Sequence, residues 1–161
     1  TSSFDYNNFS LSIFVQGEYG KEIWNANKER GASSMHRGYN NIAAVENRWT
    51  QDNPDPNAPF PKATANLNQE PSSFFVEDGS FLRIKSVRLG YTVPENKLDA
   101  LNLPLRSVNM YVSGVNLATF TDYSWFSPDV NSFPSGDLRI GVDRNPYPSS
   151  REVAVGAQIS F

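Results

Sequence analysis

The sequence predicts an all-β chain, about four antiparallel strands belonging to a larger transmembrane barrel, and three observations support this. Four segments alternate apolar and polar residues at period two. The connections between them are long, short and long in turn. The composition is rich in aromatic and turn residues and lean in charge: 13% Phe, Trp and Tyr, 10 Gly and 11 Pro, against 19% Asp, Glu, Lys and Arg.

The first segment, near 4–19, places Phe9, Leu11, Ile13, Val15 and Tyr19 on one face and Ser10, Ser12, Gln16 and Glu18 on the other, with Phe14 the exception. The second, near 81–93, ends in phase, with Val87, Leu89, Tyr91 and Val93 against Ser86, Arg88, Gly90 and Thr92. Its start, with Leu82 and Ile84 apolar, is one residue out of phase, which predicts a bulge or a change of environment near Ser86. The third, near 105–120, sets Val108, Met110 and Val112 against Asn109, Tyr111 and Ser113. In the fourth, near 151–161, Val153, Val155, Ala157, Ile159 and Phe161 alternate with Glu152, Ala154, Gly156, Gln158 and Ser160. Each supplies the ~9–11 residues that cross a bilayer at barrel tilt.

Roughly sixty residues (near 20–80) separate the first two strands and roughly thirty (near 121–150) the last two, lengths unusual in compact soluble domains. Only a short turn near 94–104 joins the middle pair, with a helical turn at Lys97-Leu98-Asp99-Ala100-Leu101. Long extracellular loops and short periplasmic turns are the habit of outer-membrane barrels, and this order fits it. Within the first loop, Lys21–Arg30 and Ile42–Trp49 read as short helices, and the proline-rich run from Asn53 to Pro61 excludes a helix or a central strand. Four strands cannot close a barrel, and an open set leaves unpaired backbone edges in lipid, so further strands are needed.

Several function classes fall away. The sequence has no cysteine, hence no disulfide framework, thiolate metal site or cysteine nucleophile. A net charge of −3 does not point to nucleic acid. His36, the single histidine, makes a histidine-based zinc site or a standard hydrolytic triad very hard to build. No cofactor is implied. Asp122, Asp129, Asp137 and Asp143, with Glu77 and Asp78, sit among turn residues, where acidic groups usually serve turns and solubility; the Asp122 to Asp137 spacing misses the calcium-loop pattern, which leaves a calcium site in the loops only weakly signalled. No catalytic constellation is visible, and an enzyme is not expected.

The stretch Phe75-Val76-Glu77-Asp78-Gly79-Ser80-Phe81-Leu82-Arg83-Ile84-Lys85, followed by Val87-Arg88-Leu89-Gly90-Tyr91, resembles the near-terminal strand of SusC/RagA-type TonB-dependent transporters. Val108-Asn109-Met110-Tyr111-Val112-Ser113-Gly114-Val115-Asn116-Leu117 is similar to the strand that follows it there. Arg48-Trp49-Thr50, Asn145-Pro146-Tyr147-Pro148 and the closing Gln158-Ile159-Ser160-Phe161 extend the resemblance over essentially the whole chain. It implies the C-terminal portion of a 22-stranded, plugged barrel in the Gram-negative outer membrane. The plug domain and N-terminal strands then lie outside this sequence. The implied role is import of a glycan or peptide, with a SusD-like lipoprotein lid and energy from TonB; the implied neighbours are the rest of the barrel, the plug and outer-membrane lipid.

Under this reading Ile159 and the terminal aromatic Phe161 form a C-terminal assembly signal; in any other β-domain Phe161 is an ordinary core residue. Tyr19, Tyr91 and Phe161 suit the aromatic girdles at the membrane interfaces. Trp24, Trp49 and Trp125 are the candidate loop contacts to substrate or lid, set against the plainer reading that they pin the loops together. Two rival readings remain. One is a soluble β-sandwich module binding carbohydrate through those tryptophans, which requires a second sheet over the apolar faces. The other is a secreted glycosidase using the loop carboxylates.

Overall fold

The structure, a computed structural model, describes residues 1–32, 40–63, 70–100, 104–130, 132 and 140–161. In chain order its elements are β1 (Ser2–Tyr6), β2 (Phe9–Glu18), β3 (Glu22–Asn25), α1 (Ala26–Ala32), a 3-10 turn at Ala43–Asn47, a second at Ser73–Phe75, β4 (Val76–Asp78), β5 (Phe81–Thr92), α2 (Glu95–Ala100), β6 (Ser107–Thr121), β7 (Val142–Asp143) and β8 (Glu152–Ser160). They fall into two compact units. The first, the sheet unit, gathers Thr1–Tyr19, Ser80–Asp122 and Ser149–Phe161; the second, the loop unit, gathers Gly20–Gly79 and Tyr123–Pro148.

The sheet unit is a five-stranded antiparallel sheet in the order β1-β2-β5-β6-β8. The segment expected as one strand over 4–19 is instead a hairpin. Tyr6 pairs with Phe9 across the two-residue turn Asn7-Asn8. Asn7 takes φ 52, a left-handed conformation that asparagine tolerates and that tight hairpin turns require. The count of strands therefore rises to five.

The phase slip in the second segment has the predicted cause. Phe14 pairs with Ser86 and Val15 with Ile84, so Lys85 is an extra residue in β5. On the other side β6 carries its own irregularity between Val115 and Ala118, where Asn116 takes φ 52. With these insertions Ile84 and Leu82 rejoin the face of Val87, Leu89 and Tyr91. At the short-turn end α2 starts behind Pro94, whose carbonyl accepts from Lys97 N at 3.0 Å, and it buries Leu98. Leu101, expected in this turn, lies outside the described residues.

The connections near 20–80 and 121–150, expected as long loops with two short helices in the first, also contain β-structure. The two segments fold together around a three-stranded sheet in the order β4-β3-β7. β3 runs antiparallel to β4 (Ile23 to Glu77) and parallel to β7 (Asn25 to Asp143). The helix expected from Lys21 to Arg30 starts only at Ala26. Residues 22–25 form a strand instead, because Ile23 and Asn25, two apart and both 0% exposed, point into the same interior. Asn25 then caps α1, its side-chain oxygen accepting from Asn27 N and Lys28 N at 3.1 Å each. Within Ile42–Trp49, the second expected helix, only the 3-10 turn forms; Arg48 and Trp49 instead join Phe60, by a parallel bridge and by Trp49 N donating to Phe60 O at 2.9 Å.

Gly79 makes the crossing between segments possible. Its amide donates to Lys21 O at 2.7 Å, and a Cβ there would stand 2.5 Å from Ile23 Cδ1. The core beneath it is Ile23, Tyr123 and Val130, with Trp125 packed against them.

Candidate functional surfaces

Residues paired across an antiparallel ladder share a face, so the register extends each strand's alternation across the sheet unit. One face collects Phe4 and Tyr6 from β1, Phe9 to Val15 from β2, Leu82 to Tyr91 from β5, Val108 to Phe120 from β6 and Val153 to Ile159 from β8, taken at every second residue apart from the bulges. This face is open: Phe4, Phe9, Leu89, Met110, Val112, Val155 and Ile159 are all exposed, Val155 at 79%. Phe161, next in phase after Ile159, is exposed at 78%. A soluble sandwich would bury such a surface, and its size exceeds the scattered apolar exposure normal for soluble proteins. At the long-loop end of the sheet Gly17, Tyr19, Leu82, Phe120 and Asp122 border an open cavity of about 540 Å³.

The opposite face is polar and low in relief. Ser3, Ser12, Arg88, Ser113 and Ala154 form one row across the five strands, and Asp5, Ser10, Gly90, Tyr111 and Gly156 form the next. Phe14 and Val115 are apolar exceptions that share a row through Ser86. Further along, Arg83 pairs with Gln16 and Thr119 and donates from Nε to Thr119 Oγ1 at 2.9 Å.

In the loop unit Glu77 is the hub, and nothing in the local sequence marks it as one. It accepts from Ser124 Oγ at 2.6 Å, Ser124 N at 3.1 Å and Asn25 Nδ2 at 3.2 Å, with Lys28 Nζ at 3.5 Å. Burial raises the carboxyl's pKa, but the Ser124 hydrogen bonds, the Lys28 charge and the Asn25 amide together hold it below the usual glutamate value. Tyr123 donates to the buried Asp143 at 2.6 Å. Burial, that bond and the charges of Asp143 and Glu77 push the phenol well above its ordinary range, so it stays a neutral donor. Asp143 also accepts from Asn145 N at 2.8 Å, an Asx turn that the Asp-x-Asn spacing does signal.

The three tryptophans are all half-buried. Trp24 packs on Phe75 at 5.4 Å between ring centroids and donates to Glu29 at 3.4 Å. Trp125 lies against the core, stacks edge-on to Phe126 at 5.4 Å and donates to Asn145 at 3.1 Å. Trp49 is tied through its backbone to Phe60. Each therefore spends part of its surface inside the loop unit.

The acidic candidates are scattered in role. Glu77 and Asp143 are held in the bonds above, Asp78 and Asp129 are exposed, and Asp122 belongs to the sheet unit. Asp137 and His36 lie outside the described residues. Among the described residues no three His, Cys, Asp or Glu side chains gather as a metal site. Among the described residues no helix is long and apolar enough to cross a membrane, which says nothing of crossing by strands.

No protein-family model matches the chain. Three curated proteins of Formosa agariphila are similar to it. TonB-dependent receptor P3 is 34% identical over 161 residues, 97% of this chain and 15% of that receptor. TonB-dependent receptor P26 is 29% identical over 99% of this chain and 16% of its own length, and TonB-dependent receptor P39 is 22% identical over 100% and 16%. Among solved structures, the RagAB peptide transporter aligns over 98% of this chain and 16% of its own with 28% identity and a TM-score of 0.73. The RagAB peptide importer in its closed-closed state aligns over 96% and 16%, with 28% identity and a TM-score of 0.72. The chain thus spans about a sixth of the length of the proteins it matches.

Proposed function

Because this chain belongs to the TonB-dependent receptors of the SusC/RagA type, proteins of the Gram-negative outer membrane, we propose that it supplies barrel wall and surface loops to a nutrient importer. The carrying observation is the register, which merges the apolar positions of five strands into one exposed face. That face meets lipid, and the opposite polar face, with Ser12, Arg88, Asn109, Tyr111, Ser113 and Gln158, lines the lumen. The loop unit stands on the extracellular side and the turn near 94–104 on the periplasmic side. Ile159 and Phe161 act as the C-terminal assembly signal.

The cargo is a peptide or a glycan, and the likeness to a peptide transporter makes peptides the first class to test. A SusD-like lipoprotein closes over the loop unit, with the exposed parts of Trp24, Trp49 and Trp125 contacting lid or cargo. Energy comes from TonB through parts of the receptor outside this chain. No catalytic step is assigned to these residues.

The test places one arginine on each face of β8 in the full-length receptor. Val155→Arg puts a charge in lipid and should block outer-membrane assembly, whereas Gln158→Arg should assemble and alter transport. Normal assembly of Val155→Arg with failure of Gln158→Arg would reverse the inside-outside assignment. Uptake of labelled peptides and oligosaccharides by the assembled receptor then separates the two cargo classes.

A further inference from the structure

The apolar face of the sheet unit is not uniform along its strands. Toward the short-turn end its rows are filled: Leu11, Leu89, Val112 and Val155 stand side by side across β2, β5, β6 and β8. At the long-loop end the row of Gly17, Leu82 and Phe120 lacks one side chain. That gap lies in the open cavity of about 540 Å³. Leu82 and Phe120 are exposed there while Phe81, which borders the cavity from the other phase, is buried, so the cavity opens on the apolar face. Leu82 leans toward the bare Gly17, where a Cβ would come within 3.2 Å of its Cδ1. Thr121 Oγ1 donates to Ser80 O at 2.8 Å and ties together the ends of β5 and β6, so the groove is formed before anything fills it.

A dent in a surface that faces lipid is either filled or a void, and a void forfeits dispersion contacts along its walls. An acyl chain lying between Leu82 and the Phe120 ring, over Gly17, touches protein on more than one side. On the filled rows it touches protein on one side only. Charge narrows the class of lipid. Among the described residues lining the cavity, the charged ones are Glu18 and Asp122, both acidic and both exposed. Asp122 follows two residues after Phe120, toward the end of the strand where a lipid headgroup lies. A carboxylate there repels a bare phosphate and attracts an ammonium. We infer that this groove binds one acyl chain of an amine-bearing membrane lipid, with the ammonium headgroup beside Asp122. The site rests on the reading that the apolar face meets lipid, with the long loops outside, and it then belongs to the outer leaflet.

The test uses the full-length receptor in nanodiscs of phosphatidylethanolamine and phosphatidylglycerol in equal amounts. A benzoylphenylalanine photocrosslinker stands at position 120 or, as reference, at position 155, and mass spectrometry reads the products. Both positions should crosslink lipid. Position 155 should take the two lipids equally, and position 120 should favour phosphatidylethanolamine by roughly two- to fivefold, the size expected of one exposed carboxylate–ammonium pair. Asp122→Asn should abolish that preference, and Leu82→Trp, which fills the groove, should lower the lipid yield at position 120; neither should alter position 155. Assembly of each variant is checked first by the mobility shift of the folded barrel on heating. Lipid at both positions with no preference at position 120, or an unchanged yield there in Leu82→Trp, overturns the site and leaves the lipid-facing reading standing. A crosslink from position 120 to the receptor's own chain also overturns the site, since the groove is then covered. Lipopolysaccharide added in equal amount and displacing phosphatidylethanolamine from position 120 overturns the amine-bearing lipid as its occupant. Absence of lipid at position 155 overturns the lipid-facing reading itself, and the site with it.

Discussion

The two units of this chain treat apolar side chains in opposite ways. In the sheet unit, valine, leucine and aromatic residues stand at period two on an open face, with Val155 79% exposed. In the loop unit, Ile23, Tyr123 and Val130 are withdrawn into a core of ordinary kind, beside the fully buried polar residues Asn25 and Asp143. The first arrangement suits a solvent as apolar as the side chains themselves. The second must pair its buried polar groups internally, which it does through Tyr123 with Asp143 and Asn25 with Glu77. One chain thus carries an open apolar face in one unit and a closed core in the other, and substitutions should act on one without the other.

The largest effect is expected in the loop-unit core. Ile23→Ala removes a fully buried side chain and should cost that unit ~2–5 kcal/mol. Hydrogen exchange should show faster opening of residues 20–79 and 123–148 while the strands of the sheet stay protected; equal loss in both units would mean they are not independent. Val155→Arg tests the other side of the comparison, at ~2–4 kcal/mol near the middle of a lipid-facing strand, read as loss of assembled receptor in outer-membrane fractions. Val155→Leu, which keeps the face apolar, should assemble as wild type.

Glu77→Gln weakens the hub that joins the two segments of the loop unit, by about 1–3 kcal/mol for hydrogen bonds to a charged acceptor. Its pH dependence has a definite sign. The folded pKa lies below the ordinary glutamate value of 4.5, so the stabilisation is fully present above that value and is lost as pH falls through the lowered folded pKa. The difference in Ser124 amide exchange between wild type and Glu77→Gln should therefore be constant near neutral pH and vanish in acid. Persistence of the difference at the lowest pH would show that the carboxylate charge is not what joins the segments. The smallest effect is at the hairpin, where Asn7→Val forces a β-branched residue to φ 52 at about 1–2 kcal/mol. Asn7→Gly should be tolerated, and faster exchange confined to β1 and the start of β2 would locate the loss.

How much of this was legible varies by element. β5, β6 and β8 were readable because alternation is a local property, set by the pleat and by a solvent that differs on the two sides. Even the bulge at Lys85 showed, since one inserted residue flips every later side chain and leaves a phase slip in the sequence. The β1–β2 hairpin was missed although the alternation does break there: Phe4 and Tyr6 stand at even positions and Phe9 and Leu11 at odd ones, but only two apolar residues on the near side of Asn7-Asn8 carry that signal. The loop unit was missed for a different reason: its contacts join residues far apart in the chain. Glu77 meets Ser124 across 47 positions and Asn25 across 52, and no local pattern encodes such a meeting.

The sequence by itself therefore determined the all-β class, the two-faced character of the main strands, the position of the bulge and, through its resemblance, the family. Only the tertiary structure decided that the two long connections share one core, that β3 is a strand with Asn25 as both core residue and helix cap, and that Arg88 rests on Tyr111 over a glycine. Periodicity is written along the chain and survives in any stretch of it, whereas a core or a stacked cation exists only once distant segments have been brought together.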